Sequence, residues 1–398
     1  MSIRVDIRPE MIRWARQRAR LDVSDLLGSF PKLAEWESGA LQPTLKQLEK
    51  FAAKVHVPLG YLFLPEPPEE PVPIPDFRTF ANREVRKPSP ELLDTIYLCQ
   101  QRQEWYREHA RLQELSAPGF IGSATVEDDP VEVAARIADA IGFSVQARAA
   151  SATWEDAFRQ FREQAEEAGV LVMVSGYAGS NTRRTLDVEE FRGFALSDEL
   201  APVIFINGRD TKAGQMFTLA HELAHLWLGA SGVSNMGMRR TRGFAREEVW
   251  CNRVAAELLV PMHALRAQLR DDAEPLDTLK QRLARHFKVS TLVILRRLLD
   301  AGRLHRDAFE RAWDAEVERL RGIMERRNEG GGGNYYNALP VRVSRRFLQA
   351  VLVSAHEGHT LFRDAYQLLG IRKAKTFSKV TEEVLGIPAL DDGGGAQA

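Results

Sequence analysis

The sequence predicts an α+β protein: a few short strands wrapped by helices, with all-helical segments at both ends. Three observations carry this. Three apolar runs, 169–174, 191–196 and 202–207, are rich in Val, Ile and Phe and read as strands. The segments around them repeat apolar residues at helical spacing. Consecutive strands gathered among helices, rather than alternating with them, mark an α+β domain.

Taken in order, residues 1–64 read as short helices. Leu64 to Pro75 is dense in proline and acid, cannot continue a helix, and predicts an extended linker over 65–80. A helical connector follows over 81–148, with a softer break near Ser116–Gly119 and a helix at Val131–Ile141. The segment 149–305 holds the central domain: a helix at Trp154–Ala168, the three strands, then helices at Met216–Trp227, Arg246–Leu259, Leu276–Phe287 and Thr291–Ala301. Residues 306–334 give a helix and a glycine joint at Glu329–Asn334. A basic helical segment occupies 335–390, and the tail from Asp391 reads as disordered. There is no internal repeat.

The 398 residues carry 54 Lys/Arg against 55 Asp/Glu, so no global charge draws the chain to nucleic acid or membrane. Cys99 and Cys251 lie far apart, which excludes a disulfide scaffold and points to a reducing compartment. The first residues, Met1 to Asp6, lack an apolar signal core, and no run approaches the roughly 20 apolar residues that span a bilayer. The expectation is a cytoplasmic protein with no membrane partner.

The strongest chemical signal lies in Phe217-Thr218-Leu219-Ala220-His221-Glu222-Leu223-Ala224-His225. Histidines four apart share one face of a helix and can reach one tetrahedral zinc. Glu222 follows the first of them, where such sites place the carboxylate that takes a proton from water. The neighbours Phe217, Leu219, Leu223, Leu226, Trp227 and Leu228 predict burial on every side, and buried ionisable groups need partners. A third ligand must come from elsewhere. The helix from Arg246 offers Glu247 and Glu248, between which spacing does not choose. Cys251 is a possible soft ligand but reads better as a small buried hydrophobe.

At these residues the chain resembles the ImmA/IrrE family of bacterial metallopeptidases. The resemblance rests on Ile204-Phe205-Ile206-Asn207, on Phe217 to His225, and on Glu248 through Asn252 and Leu258-Leu259 to Pro261. It spans roughly 150–305 and extends to Leu283–Ser290. It implies a zincin-like fold, Zn2+ held by His221, His225 and Glu248, and Glu222 as the catalytic base. Here Cys251 replaces the usual Ala, Val254 replaces Phe, and Gln215-Met216 stand where many members carry a basic residue. The implied substrate is a protein, a DNA-bound repressor in a bacterial stress or mobile-element circuit. The rival reading is a DNA-binding transcriptional regulator, or a toxin–antitoxin component, whose peptidase-like domain serves as sensor or partner platform.

Residues 8–64 resemble an XRE-type helix-turn-helix, through Trp14-Ala15-Arg16, Trp36-Glu37-Ser38-Gly39, Pro43 to Leu48 and Pro58 to Pro65, with Asp76-Phe77-Arg78 trailing. Val23–Trp36 is nevertheless short for helix, turn and recognition helix, and Lys32 is its one base. The segment Arg342–Lys379 has eight Lys/Arg against two acids. Its Arg363–Arg372 and Lys373–Val380 read as helix, glycine turn and helix, with Lys375, Thr376 and Lys379 exposed. DNA is therefore a candidate partner for either end. His356-Glu357-Gly358-His359 lacks the four-residue spacing of a metal pair and reads as a surface turn.

Overall fold

A computed structural model describes residues 4–75, 88–234, 246–269, 274–327 and 335–386. The chain divides into two compact units. Among the described residues one comprises 4–73 and 88–96; the other comprises 74–75 and everything from Tyr97 onward. The expected Asp76–Arg78 motif, glycine joint and C-terminal tail lie outside the described residues.

The first unit is built from α1 (Pro9–Arg18), α2 (Val23–Leu27), α3 (Leu33–Glu37) and α4 (Leu45–Val55), closed by a 3-10 turn at Leu59–Phe63. Met11, Ile12, Leu26, Leu33, Leu48 and Phe51 are fully buried at its centre. Phe51 meets Phe30 and Trp36 edge-on, a geometry the aromatic quadrupole favours. Thr44 and Gln47 form a capping box that starts α4. The proline stretch is not helical, as expected, but it is held to this unit: Arg18 donates to Glu70, and Arg8 to the Pro65 carbonyl.

In the second unit the order is α5 (Pro90–Leu112, entering at Tyr97), α6 (Pro130–Ile141), α7 (Val145–Ala149), α8 (Trp154–Glu167), β1 (Leu171–Ser175), β2 (Gly193–Leu196), β3 (Val203–Asn207), α9 (Lys212–Trp227) and β4 (Gly232–Ser234). Then follow α10 (Arg246–Leu259), α11 (Met262–Gln268), α12 (Leu276–Phe287), α13 (Thr291–Asp300), α14 (Arg306–Arg327), α15 (Tyr335–Val343), α16 (Arg345–His356), α17 (Phe362–Leu369) and α18 (Ala374–Leu385). The result is mostly helical with one small mixed sheet, in agreement with the predicted α+β class.

The sheet has strand order β1-β3-β2-β4, with β1 parallel to β3 and the other pairs antiparallel. Every strand residue is buried, so the strands read as continuous apolar runs because both faces are covered. Val172, Val174, Ala195, Ile204 and Ile206 belong to the same core as α9, α8 and α6. The opposite face carries stacked Phe194 and Phe205, and Met173 beside Cys99 of α5. Gln103 of α5 donates to the carbonyls of Leu196 and Ala201, and α15 and α16 pack on β1.

The C-terminal helices thus cover part of the sheet rather than standing apart from it. Ser344 and the Arg345 N–H both donate to Glu166 at the end of α8. In the sheet β3 and β2 are interior, so β1 and β4 form its edges. At the edge beyond β2, the Val233 N–H of β4 donates to the Pro75 carbonyl.

Candidate metal centre

Helix α9 begins four residues before the apolar pattern suggests. Thr211 caps it by accepting from the Gly214 N–H, and the first turn, Lys212–Gln215, carries no large apolar residue. Gln215 is fully buried. Its amide donates to the carbonyls of Gly208 and Asp210, tying the helix start to the loop after β3. From Gln215 to Trp227 every residue is buried. His221 and His225, one turn apart, therefore face a closed interior.

Helix α10 packs along α9 and along α6, anchored where the Trp250 indole donates to the Asp128 carbonyl. Its first turn turns Glu248 inward, 2% exposed, and leaves Glu247 exposed. Of the two glutamates, Glu248 is the one placed beside the histidines. Nε2 of His225 lies 3.1 Å from Nε2 of His221 and 3.0 Å from Oε1 of Glu248, while Oε2 of Glu248 is 3.4 Å from Nε2 of His221. Neighbouring corners of a tetrahedron around zinc bound at 2.0–2.1 Å stand about 3.3 Å apart. Among the described residues this is the His/Cys/Asp/Glu group spaced to hold a metal ion.

The electrostatics follow from burial. Burial alone would raise the Glu248 carboxyl, but the two imidazoles outweigh it and hold the group well below the usual carboxylate range. His221 would be lowered by burial, yet Glu248 beside it raises it. His225 is lowered, with burial dominant. Glu222 is pushed up to about 8 by burial, against a smaller opposing pull from His221. Both its oxygens are buried without a hydrogen-bond partner, and Ser234 of β4 stands beside it without reaching hydrogen-bond geometry.

Three further residues shape the centre. Asn252, one turn after Glu248 and so on the same face of α10, sets its side chain beside His221; its Oδ1 and the His221 Nδ1 are both buried without hydrogen bonds of standard geometry. Gly193 of β2 lies where a Cβ would stand 3.4 Å from Glu222 Oε1. Ser234 ends β4 opposite Gly193. Asn252 was legible as the i+4 partner of Glu248, whereas β4 is too short to announce itself. Cys251 is fully buried in the core, as a hydrophobe, and outside the metal-spaced group. His356 ends α16 with Nδ1 2.8 Å from the Leu352 carbonyl, and His359 is exposed beyond the turn.

Residues 165–299 match the IrrE N-terminal-like domain, a peptidase family, and this stretch holds the whole sheet, α9 and α10. The match supports a metallopeptidase-like domain of the ImmA/IrrE kind. Residues 343–383 match a domain of unknown function (DUF8813). No curated protein and no solved structure matches the chain. Among the described residues no helix is long and apolar enough to cross a membrane.

Proposed function

We propose that this chain is a zinc-dependent peptidase that cleaves a protein substrate in the cytoplasm, with a zincin-like central domain. One observation carries the reading: two imidazole nitrogens and a carboxylate, 3.0–3.4 Å apart and buried, next to a second carboxylate that no hydrogen bond satisfies. Three such donors suit zinc, whose mixed nitrogen and oxygen ligation leaves a position open in catalytic sites. Zinc bound there supplies Lewis acidity, which lowers the pKa of water to about 7 and polarises a carbonyl.

The chain's own residues supply the rest. His221, His225 and Glu248 hold the ion, and Asn252 orients the His221 ring from its far side. Glu222 accepts a proton from water and returns it to the leaving nitrogen. The apolar wall of α9 excludes bulk water from this exchange. By the family resemblance, the substrate is a transcriptional repressor in stress or mobile-element regulation.

A peptide library digested by the purified chain, with new termini counted by mass spectrometry, tests the reading. Glu222→Gln should keep zinc and lose about 10²–10⁴-fold in cleavage rate. Equal cleavage by that variant would remove Glu222 from the chemistry.

A further inference from the structure

We propose that α17 and α18 form a helix-turn-helix that binds double-stranded DNA through the basic face of α18. The two helices are joined by Gly370 to Lys373, a four-residue turn whose glycine takes the left-handed conformation with φ +67°. Ile371 is buried inside the turn, and Ala365, Leu368, Leu369, Phe377 and Val380 form the apolar side of both helices. Phe377 packs against Tyr366 and Phe362, with ring centroids 5.0 and 5.7 Å away. This fixes α18 with its opposite side outward. A helix of 12 residues is about 18 Å long, enough to lie in a major groove.

The outward side is chemically lopsided. Arg372, Lys373, Lys375 and Lys379 are exposed, and Thr376 and Ser378 are partly so. Arg372, Lys373 and Lys375 have no ion-pair partner among the described residues, whereas Lys379 lies 3.8 Å from Glu383 and over the Tyr336 ring. The acids Glu382 and Glu383 sit at the far end of the helix. This order opposes the helix macrodipole, which favours acids at the start and cations at the end. Folding stability therefore does not explain the charges, while a polyanion laid against the basic half does.

The first unit is arranged differently. Its α3 is five residues, carries Glu35 and Glu37 and no base, and turns Trp36 inward. Arg16 pairs with Glu37, Arg13 donates to the Glu37 carbonyl, and Arg18 pairs with Glu70. These three arginines are committed, while exposed Lys46, Lys50 and Lys54 stand on α4. The match over 343–383 coincides with α16–α18 and lies outside the stretch that matches the peptidase family, so the basic helix belongs to a separately matched segment.

The test is fluorescence anisotropy of the full chain with a mixed-sequence 30-bp duplex across a salt series. The wild type should bind at roughly 50 mM salt and weaken linearly in a log–log plot. Replacing Arg372, Lys373 and Lys375 by alanine should flatten that slope by about 2.7, so about 40-fold of the salt sensitivity between roughly 50 and 200 mM disappears. The charge-keeping set Arg372→Lys, Lys373→Arg and Lys375→Arg should bind like the wild type, as should Glu222→Gln. Three outcomes overturn the proposal: no duplex binding at low salt, an alanine set that keeps affinity and slope, or a preference for single-stranded RNA. Loss of binding through Lys46→Ala, Lys50→Ala and Lys54→Ala on α4, with the alanine set on α18 unaffected, would also overturn it by placing DNA on the first unit.

Discussion

Substituting Gly193→Ala probes how closely the sheet approaches α9. Gly193 lies on β2 between Ile206 of β3 and Ser234 of β4. A Cβ added there would stand 2.5 Å from Thr218 Cγ2 and 2.8 Å from the Phe205 carbonyl oxygen. These are about 0.9 and 0.6 Å short of ordinary contact. Thr218 is not free to swing aside, because its hydroxyl donates to the Gly214 carbonyl one turn back. The Phe205 carbonyl is backbone of the central strand. Strand β2 must therefore move away from α9, at a cost of about 1–3 kcal/mol for overpacking. For a domain of this size that lowers Tm by about 2–12 °C. The same movement widens the space beside Glu222, so cleavage should fall more than zinc affinity. Calorimetric melting, zinc titration and peptide cleavage on the variant read the three effects. A variant that melts within about 1 °C of wild type and cleaves at the same rate would refute the close-approach argument.

Other perturbations follow from the same geometry. Asn252→Ala should weaken zinc binding about 10–100-fold by freeing the His221 ring, measured by competition with a chromophoric chelator; unchanged affinity would deny the supporting role. The buried pair Arg297–Glu257, with Arg297 also donating to the Val260 carbonyl, ties α13 to the end of α10. Glu257→Gln should cost about 3–5 kcal/mol in denaturant unfolding, and a loss below about 1 kcal/mol would contradict a buried charge left unpaired. Glu316 of α14 is raised by burial, but Arg319, Thr291 and Lys280 outweigh this and hold it at about 2. Its stabilisation should be full above the ordinary carboxylate pKa and disappear as pH falls from there through about 2. Relative to wild type, Glu316→Gln should therefore show its stability deficit at neutral pH and lose it in acid; a deficit that grows in acid would reverse the sign.

How much was legible depends on where the determinants lie. Helices α10 and α12 match their expected bounds because local periodicity and a following proline or charged turn define them. The start of α9 lies outside the periodic pattern because Lys212-Ala213-Gly214-Gln215 carry no large apolar residue and are held by Thr211 and the loop after β3. Strand β4 was missed because three residues hold no period, and its pairing with β2 comes from across the chain. The docking of α15 and α16 on β1 rests on contacts such as Ser344 to Glu166, far apart in sequence. At the centre, His221, Glu222 and His225 were legible from four-residue spacing, a local property. Glu248 over Glu247 needed the rotation of α10 against α9, which packing alone sets.

The central claim is that His221, His225 and Glu248 close on one zinc ion. Equilibrium dialysis against zinc followed by elemental analysis tests it most directly. The account predicts one zinc per chain for the wild type and for Glu222→Gln, and none for His225→Ala or Glu248→Ala that remain folded by circular dichroism. A folded wild-type chain that takes up no zinc, or a Glu248→Ala variant that still holds it at full strength, would contradict the account.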